Sequence, residues 1–466
     1  MRRIYLLSPR ELSPETIAVT FAKTSRSPES FRDIAEELSD EKSAQFHEKW
    51  VVGYGHASVA EHAVLHLAIE NVSRLAIECI ESNRLASYTE KSTRYQKWDM
   101  DAFVLPPELE NHPLRNRYEE TIRRLFRTYA ESLAPARELI RRRVPRKEGE
   151  SDAAWDRRIR SRYVDSCRYL LPAASLANVG MTANARVLEH AIRKMLSHPL
   201  EEVRQIGEEI KIAARRETPT LVKYAEPSPY LVETRRAFLS PLDSHASGAR
   251  VSMTGYDAEG EKKILAAALF RFGGMSYPRA RARIENASEE ELDALADSLL
   301  GARAPHDIPL RELEYSTYTF EAVLDQGAYF EFKRHRMMTQ TPQRLSTRLG
   351  YAVPRLLAEA GLADAYRAAM DSAAETYEAL AEDFPFAASY VVPNGFYRRV
   401  LFTLNLREAY HLCELRAAPN AHFAIRILAR RVADSIRSVH PRLARFFRLP
   451  EDETPESIEA AYFTDI

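Results

Sequence analysis

The sequence predicts an α/β chain of the α+β kind, built from two similar units that are each a small mixed sheet packed by long helices. Three observations carry this expectation. At 466 residues the chain exceeds what one hydrophobic core ordinarily organises, so two domains are the natural division. Apolar residues recur at helical spacing over long stretches and alternate over short ones, which calls for helices and strands together. The order of elements then restarts after a Pro-, Ser- and Gly-rich stretch between Glu226 and Gly248, as a duplicated unit would. The expected division is a first unit over residues 1–228, a linker over 229–248 and a second unit over 249–466.

Taken in order, Val19 to Ala22 reads as a short strand. Phe31 to Val52 reads as an amphipathic helix, with Ile34, Leu38 and Phe46 at helical spacing. A turn over residues 53–62 enters a second strand that runs through Ile69. Ser73 then opens a helix to about Asn83, because a serine ahead of an apolar run can accept from the first orphan backbone N–H groups. A polar loop from Arg84 to Tyr95 follows, and helices fill Leu114 to Arg143, Asp152 to Leu171, Ala185 to Leu196 and Leu200 to Glu217.

Beyond the linker the series repeats. Phe238-Leu239-Ser240-Pro241 echoes Leu6-Leu7-Ser8-Pro9, and Arg250 to Thr254 echoes Ala18 to Phe21. A helix (Glu259 to Phe272), a turn at His306 to Leu310 that echoes His56, a strand (Tyr315 to Val323), a short aromatic helix (Ala328 to Phe332) and a polar loop (Arg336 to Tyr351) come next. Each half also carries an Asn-x-Arg helix start, Asn184-Ala185-Arg186 and Asn405-Leu406-Arg407.

Composition excludes several classes. A formal net charge of −1 sets up no global field for nucleic acid or an acidic membrane. The basic stretch Arg141 to Arg162 reads as a solvated helix pair, so no nucleic-acid partner is expected. Cys79, Cys167 and Cys413 are too scattered for a disulfide scaffold or a zinc site and read as thiols in a reducing compartment. No apolar run approaches a membrane span and the start lacks a signal peptide, so the expectation is a cytoplasmic protein without a membrane partner. Gly53-x-Gly55 lacks the third glycine of a dinucleotide fingerprint. His62 and His66 share one face of the expected strand without a third ligand, so no metal is expected.

The densest chemistry lies at Lys333-Arg334-His335-Arg336. Each guanidinium offers five N–H groups in a planar fork that matches a phosphate or a carbonyl edge. Alone, the segment could be the charged end of a surface helix; the rest of the chain turns the reading toward an anionic ligand.

At these residues the sequence resembles the flavin-dependent thymidylate synthases, whose signature is Arg-His-Arg, two residues, Ser, continuing into a Glu-x-Ser-x-Arg-Tyr loop. The resemblance covers nearly the whole chain as two fused copies, and neither copy holds the signature intact. The second half keeps Arg334-His335-Arg336 with Thr339 at the serine position, but its loop Thr341 to Ser346 lacks the Glu-x-Ser-x-Arg pattern. The first half has the reverse defect. It reads Glu81-Ser82-Asn83-Arg84-Leu85-Ala86-Ser87, yet Glu90-Lys91-Ser92-Thr93-Arg94-Tyr95 is complete. An Arg before a Leu-Pro turn survives as Arg168 in the first half and is Ser389 in the second. A Leu-Arg pair survives as Leu415-Arg416 in the second and is Lys194-Met195 in the first.

The losses are complementary, so the resemblance implies one composite site drawn from both halves. It implies substrate-binding roles for Glu90, Ser92, Arg94, Arg168, Arg334 and Arg416, with Arg168, Arg334 and Ser92 as the catalytic candidates. It implies that FAD is lined by Arg334, His335, Arg336, Asn405, Arg407 and His411, with His56, Ser58 and Glu61 from the first half. The implied reaction converts dUMP to dTMP with methylenetetrahydrofolate and NADPH as co-substrates. Family members are single-unit chains in homotetramers, so two of these chains would make a homodimer. Ser92 and His56 also have plain readings as a loop serine and a turn histidine. A flavoenzyme for another pyrimidine nucleotide, or a non-catalytic flavin- or nucleotide-binding protein with decayed sites, are the alternatives.

Overall fold

The computed structural model describes residues 3–25, 27–53, 56–94, 98–242 and 250–464. Tyr54 and Gly55 of the expected turn, Tyr95 of the Glu90 loop and residues 243–248 of the expected linker lie outside the described residues. Two compact units are present, and each draws on both halves of the sequence. The first comprises Met1–Ile122, Ala173–Pro241 and Ala379–Tyr390, and the second Arg123–Pro172, Leu242–Glu378 and Val391–Ile466. The helix Asp152–Cys167, early in the chain, is therefore built into the second unit.

In the first unit β1 (Val64–Ser73), β2 (Ala86–Glu90) and β3 (Leu176–Asn184) form a three-stranded sheet of order β1-β3-β2. In the second, β4 (Val251–Tyr256), β5 (Thr317–Asp325), β6 (Thr339–Pro342) and β7 (Tyr397–Asn405) form a four-stranded sheet of order β4-β5-β7-β6. Every pairing among these strands is antiparallel, which refines the expected mixed sheets. Alternation explains β5 and β7: Tyr318, Phe320 and Ala322 face the core beside Val400, Phe402 and Leu404. Phe320 and Phe402 stack with centroids 5.3 Å apart, and Phe332 meets Phe402 edge-on at 4.9 Å. Burying one such ring is worth about 1.5–3 kcal/mol. The helix Phe423–Val439 closes this core with Val432 and Ile436.

The repeat is visible bond for bond. The first residue of each leading strand lies opposite the asparagine that caps the following helix, Val64 opposite Asn184 and Thr317 opposite Asn405. Both caps accept from the backbone three residues on, Val187 N–H and Glu408 N–H, at 2.9 Å. The next backbone N–H reaches back across each sheet end, Ala185 to Ala63 at 2.8 Å and Leu406 to Ser316 at 3.0 Å. The arginines two residues past the caps pair with equivalent glutamates, Arg186 with Glu61 and Arg407 with Glu314. Ser87 of β2 lies opposite Thr182 and Thr339 of β6 opposite Thr403. Counting back four residues in each copy puts Asn83 at the position of His335.

Several local expectations need correction. Val19 to Ala22 is not a strand but lies inside the helix Pro14–Thr24. Its β-branched residues suggested a strand, whereas Ser13, accepting from Thr16 N–H at 3.2 Å, and Pro14 at the first helical position start a helix. The single helix expected from Phe31 to Val52 breaks into Phe31–Glu36, Asp40–Phe46 and a wide turn His47–Gly53, because Ser39 caps a new start. His62 ends a tight helical turn, Ala57–His62, while His66 is in β1, so they do not share a strand. Both expected polar loops contain a short strand, β2 or β6. The expected linker includes a helix, Pro229–Ala237, which has no buried residues and hence no apolar stripe to announce it.

Candidate functional site

The helix Gln326–Phe332 opens on Asp325, whose side chain accepts from Ala328 N–H at 2.8 Å, and the chain then turns sharply, with His335 N–H donating to Phe332 C=O at 3.0 Å. The Gln340 side chain donates to the His335 carbonyl at 2.8 Å and fixes the turn. As a result the three residues of the Arg-His-Arg segment point differently. Arg334 is exposed, His335 is 2% exposed and Arg336 is half-buried.

Inside, His335 sits in a chain of polar groups. Arg416, the last residue of the helix Leu406–Arg416, donates Nε–H to His335 Nε2 at 2.9 Å. That nitrogen is thereby the acceptor, so Nδ1 carries the proton and donates to Glu408 Oε1 at 3.0 Å. Burial, with Arg416 and His411 next, holds the imidazole well below its usual range, so it is neutral. Burial pushes the Glu408 carboxyl up, against the pull of His411 and Arg407.

Arg416 Nη1 also reaches Glu331 Oε2 at 3.1 Å, and Arg168 Nη2 lies 3.8 Å from Glu331 Oε1. Arg168 caps the C-terminal end of the helix Asp152–Cys167 and pairs with Asp165 at 3.2 Å. Its carbonyl accepts from the Asn394 side chain at 2.9 Å, which anchors the turn. Arg168, His335 and Arg416, singled out in the sequence, are thus brought together within the second unit. Glu331, not singled out, links Arg168 to Arg416, while Glu408 and Asp165, also not singled out, hold His335 and Arg168 respectively. The signal for Glu331 was a lone carboxylate inside the aromatic run Tyr329 to Phe332, where burial is costly unless the charge is paired.

Beside this network lies a pocket of about 580 Å³ lined by Asn405, Arg407, Glu408, His411, Met337 and Leu415 among others. Three cofactor candidates, Asn405, Arg407 and His411, meet here, and the His411 ring is 5.1 Å from His335. Arg407 is held by Pro309 C=O and Glu314, both at 2.8 Å, and Arg303 by Glu414. Asp307 and Glu408 add further carboxyls, so the lining suits an uncharged ring and supplies no excess positive charge for a diphosphate.

The first unit presents its candidates separately. The Glu90 carboxylate pairs with Arg74 at 3.1 Å, both side chains almost fully buried. Ser92 Oγ accepts from Arg94 N–H at 3.2 Å, the plain loop-serine geometry. His56 precedes the turn Ala57–His62 with its ring 6.1 Å from Trp50, Ser58 is exposed, and Glu61 is engaged by Arg186. At the position equivalent to His335, the Asn83 side chain accepts from Lys194 at 3.1 Å. Among the described residues no group of His, Cys, Asp and Glu could hold a metal ion, and no helix is long and apolar enough to cross a membrane.

Two copies of one α+β unit, with the Arg-Glu-Arg-His network described in the second, define a tandem protein whose copies have diverged at their polar centres. The sequence model of the family described as thymidylate synthase complementing protein matches residues 9–220 and again 253–442, and the chain belongs to that family. A UPF0159 protein of Chlamydia muridarum is 31% identical over 88% of this chain and 82% of its own length. A UPF0159 protein of Thermoplasma acidophilum is 29% identical over 88% of this chain and 89% of its own. A flavin-dependent thymidylate synthase of Clostridium tetani is 29% identical over 46% of this chain and 84% of its own length, as one unit against two requires.

Proposed function

We propose that this chain is a flavin-dependent thymidylate synthase, methylating dUMP reductively to dTMP with methylenetetrahydrofolate as carbon donor and NADPH as reductant. The observation that carries the reading is the meeting of Arg168, from the first half of the sequence, with Arg416 and His335, from the second. Methylation at C5 of uracil needs negative charge stabilised on the ring carbonyls, and fixed guanidinium donors do this. Arg168 and Arg334 take that role. Arg94 and the backbone around Ser92 hold the 5′-phosphate, Glu90 supports the loop, and Arg416 completes the nucleotide site.

FAD, when bound, supplies the hydride and one-carbon transfer chemistry. Asn405, Arg407 and His411 would hold its ring in the pocket, with His335, Arg334 and Arg336 along its edge. His56, Ser58 and Glu61 are proposed as further cofactor contacts. The diphosphate needs donors beyond the pocket lining, in keeping with the lining's charge. The working form is a cytoplasmic homodimer of tandem chains.

The test is direct. Purified protein is expected to be yellow and to release tritium from C5-labelled dUMP when the folate donor and NADPH are supplied. Replacing Arg416 or Arg94 by Ala should abolish release; full activity in either variant counts against the composite site. Yellow protein without release points to another pyrimidine nucleotide, the reading favoured by the incomplete signature in each half. Colourless, inactive protein points to decayed sites.

A further inference from the structure

The matching helix caps locate, in the first unit, the counterparts of the second unit's polar centre. Six residues past Ser73 and Asp325 stand Cys79 and Glu331, and eleven past Asn184 and Asn405 stand Met195 and Arg416. The first copy thus lacks both that carboxylate and that guanidinium. Cations enter from two other places. Lys194, one residue before Met195, donates to Asn83 Oδ1 at 3.1 Å. Arg235, on the helix Pro229–Ala237, donates Nη1–H to the Ser197 carbonyl at 2.7 Å, and Ser228 N–H at the start of that helix donates to Ser197 Oγ at 2.7 Å.

Both cations act on the Cys79 thiol and on the His198 ring, so they share one small region. Among the described residues neither pairs with a carboxylate; their partners are an amide oxygen and a backbone carbonyl. Burial holds both below their usual ranges. Burial also pushes the Cys79 thiol up to about 11, against the pull of Lys194 and Arg235, so it stays protonated and supplies no charge. Burial, with Arg235, Arg204 and Lys194 next, pushes His198 down to about 3. Its Nδ1 accepts from Leu200 N–H at 3.2 Å, so the proton sits on Nε2 as one more donor. Glu78 bears on Cys79 after the two cations and on neither cation itself, and Arg204 is engaged by Glu201. Lys194, Arg235, His198 and Cys79 are each partly exposed, so an ion can reach them.

Partly buried cations without a counter-charge are costly, and a doubly negative ion removes that cost. We propose that Lys194 and Arg235 form a binding site for a divalent oxyanion, a phosphate or sulfate group, at the counterpart of the Glu331 carboxylate. The ammonium has three donors and the guanidinium five, so each keeps N–H groups for the ion beyond those spent on Asn83 and Ser197. Because the helix Pro229–Ala237 has no buried residue, the ion also ties that helix to the unit through Arg235. The site does not depend on the reaction proposed above.

Calorimetric titration of the full-length protein with inorganic phosphate tests it, with ribose 5-phosphate as a second ligand and potassium chloride of matched ionic strength as the control. Wild-type protein is expected to bind phosphate, and Lys194→Gln and Arg235→Gln should each weaken binding at least about tenfold, the scale of a lost hydrogen bond to a charged group. Lys194→Gln leaves the bond from Arg235 to Ser197 in place, so its effect does not come from a detached helix. In hydrogen exchange, phosphate should slow the backbone amides of residues 229–237 in wild-type protein and not in Lys194→Gln. Phosphate binding that is unchanged in either folded variant lies elsewhere and overturns the proposal, as does equal slowing by chloride. Wild-type protein that binds neither phosphate nor ribose 5-phosphate overturns it as well. Variant-sensitive binding of phosphate alone supports a site for the free ion, and variant-sensitive binding of ribose 5-phosphate at least as tightly supports a site for a phosphomonoester.

Discussion

His335 is defined by what surrounds it: Arg416 on Nε2, Glu408 on Nδ1 and the tilted His411 ring beside it. Because burial and the neighbouring cation keep the folded imidazole neutral, the unfolded chain takes up a proton near pH 6.5 that the native state refuses. The sign follows. Stability from this group is complete above about pH 6.5 and declines on acidification, by up to about 1.4 kcal/mol per pH unit. Urea unfolding at pH 7.5 and pH 5.5 should show that decline in the wild-type protein and a smaller one in His335→Asn. Equal declines would mean that the ring titrates alike in both states. In the sequence this residue stood out as part of a basic triplet. Its neutrality did not, since that depends on burial and then on Arg416 and His411, far along the chain.

Element boundaries were set by caps wherever caps were strong. Ser73, Asn184, Asp325 and Asn405 each accept from a backbone N–H three residues on and each begins a helix. Asp325 adds a pH effect. Burial pushes its carboxyl up to about 6, against the pull of Ala328 N–H, Tyr169 and Arg168. The native state thus keeps a proton that the unfolded chain releases near pH 4, and this stabilisation is lost as pH rises through the folded value. Asp325→Asn, which can still cap, should flatten the stability profile between pH 4 and 7 by on the order of 2 kcal/mol; an unchanged slope in denaturation midpoints would refute this. Strand packing gives a second test. Phe402→Ala, in the aromatic stack of β5 and β7, should cost about 3–5 kcal/mol, against under about 0.5 kcal/mol for Leu401→Ala, which is 46% exposed on the opposite face. Comparable losses from the two in urea titrations would mean the alternation carries no energetic weight.

At the scale of the whole molecule, duplication let the two copies diverge. Ser73 in the first copy and Asp325 in the second hold the same cap, but their surroundings differ: Ser73 bonds Glu202, which also accepts from Tyr390. A homodimer of two tandem chains is the expected assembly; sedimentation equilibrium should return twice the chain mass of 53.2 kDa, and a single-chain mass at micromolar concentration would refute it. The sequence by itself determined the repeat, the helix starts at Ser73, Asn184 and Asn405, the family and which copy carries each match to the signature. Those features are written in neighbouring residues or in direct likeness between stretches. Tertiary structure decided that Arg168 joins Arg416 and His335 in one unit, that Glu331 connects the two arginines while Glu408 holds His335, and that Arg334 faces outward. A buried charge needs a compensating partner, and which distant residue supplies it is fixed by packing rather than by local pattern.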